Sequence, residues 1–261
     1  KLKDDKLDLS QPYINAMNKL QKTGWRINRR IYDALIDNKG NFLQEEPYKD
    51  NDAKEMKRRS KAMEWKFIMS KAKLLKEQDV FYQYVDADYR GRTYYIEPFL
   101  NFQGSDLSRG MLKFARGKPM TDAGLFWLAV HTAVSYNESY KIDEIPDWVE
   151  QDYKGYLKSE GLEDISVDKM TLEDRVNWVN NNMNWIVDLG QAASFVPCEK
   201  TVSFLACCIE WYDYHEAKKD HRLFMTHLPI PIDGSNNGWQ HLGSISKDVQ
   251  TGDLVGLIPI E

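Results

Sequence analysis

Hydrophobic positions recur at two different periods along the chain and divide it into recognisable stretches. Pro12–Gln21 and Asn28–Asp37 read as two short helices, separated by a break at Thr23-Gly24. A polar loop with Gly40 and Pro47 follows. From Asp52 to Gln78 there is neither Gly nor Pro, which predicts one long helix. Met56, Met63, Phe67, Leu74 and Leu75 recur at roughly helical spacing and form its apolar face, while Lys57, Arg58, Lys61 and Lys71 form the other. Aromatic and β-branched runs at Val80–Val85 and Thr93–Glu97 flank Asp86-Ala87-Asp88-Tyr89-Arg90-Gly91-Arg92, the pattern of two strands with a hairpin-like connection. Further helices are predicted at Ser108–Ala115, at Thr121–Ser135 with Thr121 as cap residue, at Leu172–Leu189 and at Thr201–Ala217. Asp143–Asp174 reads as surface, with Trp148, Tyr153, Tyr156 and Leu157 as one apolar stripe. Leu228–Ile232, carrying prolines 229 and 231, reads as an extended segment ending at Asp233-Gly234, and a helix starts near Asn237. There is no internal repeat and no long linker. The fold class expected is α+β, predominantly helical.

Charge changes this picture more than composition does. The 261 residues carry a net charge of −5, yet residues 1–76 hold 19 basic and 11 acidic side chains, and residues 77–261 hold 16 and 29. Nine Lys/Arg fall between Lys54 and Lys76 against two glutamates, and twelve acids fall between Glu138 and Asp174 against four lysines. A basic rod of this kind is either an ordinary solvated helix face or a surface that tracks phosphates. Hydrophobic residues make up 42% and charged residues 29%, so global disorder is excluded. No apolar stretch approaches the ~20 residues of a membrane span, and Lys1–Asp8 is no signal peptide. Cys198, Cys207 and Cys208 form no even framework and read as small core hydrophobes. A zinc site from Cys207, Cys208, His215 and His221 is the alternative, without any C-x-x-C pair to support it.

Two short segments carry candidate chemistry. In Ile232-Asp233-Gly234-Ser235, a carboxylate ends an apolar extended segment and glycine frees the next carbonyl to turn towards the same cation. Hard oxygens so arranged suit Mg²⁺. The same residues also describe a turn and a helix N-cap. In Asp88-Tyr89-Arg90-Gly91-Arg92-Thr93-Tyr94, two arginines bracketing glycine can present forked donors to phosphates, with Tyr89 and Tyr94 available to stack on a base. A surface turn whose arginines pair with Asp86 and Asp88 is the plainer reading. His131 reads as a core histidine, and Trp178 and Trp185, seven apart, as packing residues.

In their order along the chain, these segments resemble the single-subunit RNA polymerases of bacteriophages and mitochondria. The resemblance runs from Gly24-Trp25-Arg26-Ile27-Asn28, through a thumb-like basic helix at Lys54–Lys76, to the Asp-x-x-Gly-Arg motif at Asp88–Arg92. It continues through Gln103-Gly104, Asp106, Gly117-Lys118-Pro119 and Trp127-Leu128 to His131. It ends at polymerase motif A, Asp233-Gly234-Ser235-x-Asn237-Gly238-x-Gln240-His241. Two positions depart: Asn236 stands where the family usually has Cys, and Gly256 where Asn usually precedes Leu-x-Pro.

The resemblance implies part of a right-hand polymerase. Residues 1–50 would be an N-terminal helical segment, 51–79 a reduced thumb, and 80–261 a partial palm with the hybrid-binding loop, an acidic helical insertion and motif A. Asp233 would be one of two metal-binding aspartates, with the Gly234 carbonyl facing one of two Mg²⁺ ions and Ser235, Asn237, Gly238, Gln240 and His241 supporting motif A. Tyr89, Arg90, Gly91, Arg92, Tyr94, Lys57, Arg58 and Lys61 would contact the DNA template and RNA product, with nucleoside triphosphates as substrates and no membrane involved. The given sequence runs 28 residues beyond Asp233 and includes neither the family's fingers helix nor its second metal aspartate. The expectation is therefore a DNA-directed RNA polymerase subunit, active only with a second chain and resembling the smaller chain of the split polymerases of podophages. Its place would be the cytoplasm of an infected bacterial host. A non-catalytic nucleic-acid-binding or assembly subunit, or a piece of a full single-chain polymerase, are the rival expectations.

Overall fold

The computed structural model describes residues 10–38, 52–88, 92–149, 151–232 and 237–258, and falls into two units, Lys1–Pro229 and Ile230–Glu261. Within the first, α1 (Gln11–Gln21) and α2 (Arg29–Asp37) lie where the periodicity puts them, but Gly24–Ile27 between them is a strand, β1. It alternates Trp25 and Ile27 inward and is the centre of a three-stranded antiparallel sheet. Its neighbours are β2 (Phe81–Tyr82), with Trp25 opposite Phe81, and β5 (Leu112–Phe114), with Arg26 opposite Lys113. Trp25 stacks on Phe114 and Phe102 at 4.9 and 5.4 Å between ring centres.

The helix predicted over Ser108–Ala115 is therefore corrected. A short α4 (Asp106–Gly110) stops at Gly110, and the next residues join the sheet as β5. Gly110 is required there: a Cβ would stand 2.6 Å from a Val202 methyl and 2.9 Å from the Val202 carbonyl carbon. Tertiary pairing outweighs the weak helical preference of so short a run.

The long helix α3 (Asp52–Leu75) is as expected, but its buried face is not. Trp65, Ile68, Met69 and Ala72 face the core at i, i+3, i+4 and i+7, whereas Met56 and Leu74 are 71% and 72% exposed and Met63 and Phe67 are also exposed. Phe67 stacks on Phe99 at 4.6 Å. The spacing of the large apolar residues had selected the neighbouring stripe.

The main core is helical. In α5 (Asp122–Tyr136) the Thr121 side chain accepts the Gly124 amide at 3.2 Å, the expected cap. With α7 (Leu172–Ala192) and α8 (Thr201–Lys219) it forms a bundle in which every residue of α8 from Val202 to Trp211 is buried. Cys207 and Cys208 lie inside that run, and burial raises both thiols well above the ordinary range, which suits core packing and not metal ligation. Tyr136 packs between Trp178, Trp185 and Phe204 at 5.1–5.4 Å. The first turn of α8 is capped from a distance: Asp106 accepts the amides of Val202 and Ser203 at 2.7 and 3.1 Å.

The acidic stretch is more than surface. The strands β7 (Ser139–Lys141) and β8 (Asp164–Ser166) pair antiparallel, and with α6 (Gln151–Ser159) they belong to a stretch that buries Ile142, Ile145, Val149, Leu157, Ile165 and Val167. Of the predicted stripe, Leu157 is buried and Trp148 lies edge-on to Tyr140, while the side chains of Tyr153 and Tyr156 lie outside the described residues. A last small pairing joins β6 (Lys118–Pro119) to β9 (Met225–Thr226).

The second unit holds α9 (Asn237–Ser246) and α10 (Val249–Leu254), the latter capped by Asp248. Leu228–Ile232 pairs with no described strand.

Candidate functional site

A hairpin is present around Asp88, but the predicted run Val80–Val85 does not form its first strand: Phe81–Tyr82 pairs with β1 instead, and the hairpin begins at Val85 and takes in Asp86 and Ala87. Its strands β3 (Val85–Ala87) and β4 (Thr93–Tyr95) pair Val85 with Tyr95, Asp86 with Tyr94 and Ala87 with Thr93. Tyr89, Arg90 and Gly91 lie outside the described residues. On either side of them the turn is tied: the Asp88 amide donates to the Arg92 carbonyl at 2.9 Å, and the Asp88 carboxylate accepts the Arg92 amide at 2.9 Å. Asp88 thus works on the backbone of the turn, and Asp86 accepts the Ala87 amide. Neither forms the plain surface pair with Arg92, whose exposed guanidinium makes no ion pair with a described residue. Tyr94 is exposed beside it.

Three other elements hold the hairpin. Gln103 reads the outer edge of β4 twice, accepting the Tyr95 amide at 3.1 Å and donating to the Thr93 carbonyl at 2.9 Å. Gln103 is itself placed by Asn101, whose side chain accepts its amide at 2.8 Å, and Asn101 is held by Ser108. From α1, Tyr13 shares a hydrogen bond with Thr93 at 2.6 Å, and from α3, Lys71 meets Glu97 at 2.9 Å. The Gln103-Gly104 and Asp106 positions are therefore supports: one clamps the hairpin and the other caps a core helix.

On the basic helix the three named cations differ. Lys57 and Lys61 are exposed and form no ion pair with a described residue. Arg58 is committed to Glu55 through two hydrogen bonds of 2.8 Å, and Arg59 joins the same carboxylate at 2.7 Å. These two guanidiniums hold the Glu55 carboxyl down to about 2.

Asp233, Gly234, Ser235 and Asn236 lie outside the described residues. Downstream, Asn237 opens α9, and Asn237, Gly238 and His241 are exposed along it. Gln240 donates to the Val255 carbonyl at 2.9 Å and so ties α9 to the end of α10. Gly256 has φ +69°, and the Leu257 amide closes back on the Gly252 carbonyl at 2.8 Å. In that left-handed position glycine and asparagine are the residues best tolerated, so the departure at Gly256 preserves the backbone.

His131, one of the two histidines of the resemblance, is half-buried on α5. Burial, with Lys200 and Arg109 nearby, lowers its pKa to about 4. The unfolded chain takes up this proton near pH 6.5 and the folded chain only near 4, so stability is full above 6.5 and falls as pH drops towards 4. The loss from this one group reaches about 3 kcal/mol. Urea unfolding between pH 7 and 4.5 is expected to show that fall, and His131→Gln to flatten it. His215 and His227, also lowered by burial, remain in both proteins.

Among the described residues no three His, Cys, Asp or Glu side chains gather as a metal site, and no helix is long and apolar enough to cross a membrane. Sequence reasoning passed over Glu210, a buried carboxylate holding Lys113 at 3.1 Å and Thr226 at 2.6 Å. A lone acid in the apolar run Phe204–Trp211 was its signal.

Comparison with known proteins adds the following. The sequence model for DNA-dependent RNA polymerase matches residues 118–261. The DNA-directed RNA polymerase 2, chloroplastic/mitochondrial, of Arabidopsis thaliana is 27% identical over 280 residues, covering 95% of this chain and 25% of its own length. A probable DNA-directed RNA polymerase of Neurospora crassa is 31% identical over 191 residues, 73% of this chain and 18% of its own. The DNA-directed RNA polymerase 3, chloroplastic, of Nicotiana sylvestris is 29% identical over 281 residues, 95% and 26%. The chain thus spans about a quarter of the length of the curated relatives it matches.

Proposed function

Since the chain belongs to the single-subunit family of DNA-dependent RNA polymerases, we propose that it supplies one half of a two-metal nucleotidyl-transfer site together with the loop that holds the template–product hybrid. The observation that carries this reading is the family match across 118–261, which includes the Asp233–His241 motif; the loop at 88–92 and the helix of 51–79 precede it, and the support for them is the relatives' similarity over 95% of the chain. In this reading residues 51–79 act as a reduced thumb and 80–261 as a partial palm.

Each residue then has a task of its own chemical kind. Asp233 offers a carboxylate and Gly234 a carbonyl, both hard oxygens that fit Mg²⁺. What bound Mg²⁺ supplies is activation of the attacking 3′-oxygen and stabilisation of the leaving pyrophosphate. Ser235, Asn237, Gly238 and His241 support motif A; Asn237 and Gly238 open the helix that follows, His241 lies one turn along it, and Gln240 steadies that helix from within its own unit. Arg90 and Arg92 neutralise phosphates of the hybrid, Tyr89 and Tyr94 stack against it, and Lys57 and Lys61 follow the backbone along the thumb. Arg58 orders Glu55 and contributes charge from a fixed position. The template is DNA, the product RNA and the substrates nucleoside triphosphates.

One carboxylate and one carbonyl do not hold two cations. In our reading a second chain brings the complementary ligands with the fingers, as in the split podophage enzymes, which work in the host cytoplasm. The named plant relatives are chloroplast and mitochondrial enzymes. The test is Mg²⁺-dependent RNA synthesis on a single-stranded template, by this chain alone and with each polypeptide that co-purifies with it. Synthesis is expected only in the mixture. Turnover by the 261-residue chain alone would refute the divided site, and a longer intact mass for the native protein would put both halves on one polypeptide.

A further inference from the structure

Away from the hairpin, five cations of the first unit line one cleft of about 500 Å³: Arg26 on β1, Arg29 and Arg30 at the start of α2, Lys76 just past α3, and Lys113 on β5. Three of them are oriented from behind. Lys113 meets buried Glu210, Arg30 meets Asp213 at 2.7 Å and the Gly190 carbonyl at 2.6 Å, and Arg29 donates to the Lys76 carbonyl at 2.7 Å with Glu77 at 3.6 Å. The other two are not neutralised to the same degree. Arg26 makes no ion pair with a described residue, and Lys76 reaches Glu77 only at 3.7 Å. Asp79 is the acid on the rim.

A second, independent feature lies in the same cleft. Asn28 lines it at 3% exposure, and its Nδ2 is buried with no acceptor. Asn28 is also the N-cap of α2, yet its side chain does not cap, which leaves the first amides of that helix to another acceptor. Among the described residues the groups left without a partner are donors, the Arg26 guanidinium, the Asn28 carboxamide N–H and the start of α2, while the Lys76 ammonium is held loosely between Glu77 at 3.7 Å and the face of Tyr32 at 5.0 Å. Their complement is an acceptor-rich anion, and a phosphate has that form.

We infer that this cleft binds backbone phosphates of a single nucleic-acid strand, separately from the hairpin. That the ligand is a strand rests on the polymerase reading and on the cleft's position. Its cations come from separate segments instead of converging on one loop, and α3, which carries Lys57 and Lys61, ends at the cleft in Lys76. A free triphosphate shares the chemistry and is the competing source.

The test is binding of a fluorescein-labelled decathymidylate to the full chain in EDTA, at several salt concentrations, so that no metal or catalysis enters. Arg26→Ala with Lys76→Ala is expected to weaken binding about tenfold at low salt and to lower the salt slope by about one to two. Arg26→Lys with Lys76→Arg should restore both, which a merely misfolded alanine variant could not explain. Unchanged affinity and slope in the alanine variant overturn the cleft. If Arg90→Ala with Arg92→Ala still weakens binding in that case, the hairpin reading stands and the cleft alone has failed. Displacement of the decamer from the parent, but not from the alanine variant, by inorganic tripolyphosphate at lower phosphate concentration than by unlabelled decamer would assign the cleft to a triphosphate and overturn the strand.

Discussion

Asp233→Asn is expected to lower RNA synthesis by the assembled enzyme by at least about 10³-fold, with oligonucleotide binding in EDTA unchanged. Asparagine keeps the shape of the side chain and one oxygen donor but removes a full negative charge. A hard divalent cation is held chiefly by such charge, and displaced catalytic charge is costly because a preorganised site cannot compensate by reorienting. Removing a single stabilising donor from a transition state costs about 10²–10³ in rate, and a metal-bearing carboxylate should exceed that. The measurement is single-turnover addition of one nucleotide over a Mg²⁺ titration. Raised Mg²⁺ should recover part of the loss, and a decrease smaller than about tenfold would take Asp233 out of the metal site. Unchanged binding separates this result from misfolding.

The second large effect concerns stability. Glu210 is 1% exposed and has three partners: Lys113, the Thr226 hydroxyl, and the His227 amide at 3.3 Å. It joins α8 to β5 and β9, and Lys113 is itself mostly buried. Glu210→Ala therefore strands an ammonium and a hydroxyl in the interior, at a cost of about 3–5 kcal/mol. For a fold with roughly 5–15 kcal/mol in total this brings unfolding close to ambient conditions. Glu210→Gln keeps acceptors for Thr226 and His227 and should lose less. Urea unfolding of the two variants beside the parent measures the difference, and equal loss would mean that the charge on Glu210 contributes nothing.

Much of the architecture could be read along the chain, and the failures have physical causes. The hairpin was legible because β-branched and aromatic residues flank a turn rich in Asp and Gly. The core helices were legible because a long apolar run starts after Thr121, because Leu172–Leu189 spaces its apolar residues at helical intervals, and because Thr201–Ala217 holds an unbroken apolar stretch around Cys207 and Cys208. The strand at Gly24–Ile27 was not, because four residues give no periodicity and only its partners at Phe81 and Leu112–Phe114 make it one. Ser108–Ala115 fails for the same reason in reverse: the need for Gly110 is a backbone approach from Val202, about ninety residues away. On α3 two apolar stripes lie side by side, and the exposed one of Met56, Met63, Phe67 and Leu74 has the same helical spacing as the buried one of Trp65, Ile68, Met69 and Ala72, so periodicity alone does not choose between them. Of the candidate site, the hairpin supports and the end of motif A are described, and Asp233 with Arg90 remains a reading of sequence order. The cation cleft was half visible as Arg26-x-x-Arg29-Arg30, but its other members come from Lys76 and Lys113.

At Gly190 the helices α7 and α8 approach too closely for a side chain, since a Cβ there would sit 2.0 Å from the Cys208 carbonyl oxygen. The carbonyl of Gly190 itself receives the Arg30 guanidinium. One residue thus fixes both the spacing of two interior helices and the aim of a cation at the surface. Drift in the helix pair is transmitted to the cleft without any change in the cleft's own residues, so the latitude for sequence divergence there is set from the interior, at a glycine that no survey of the surface would select.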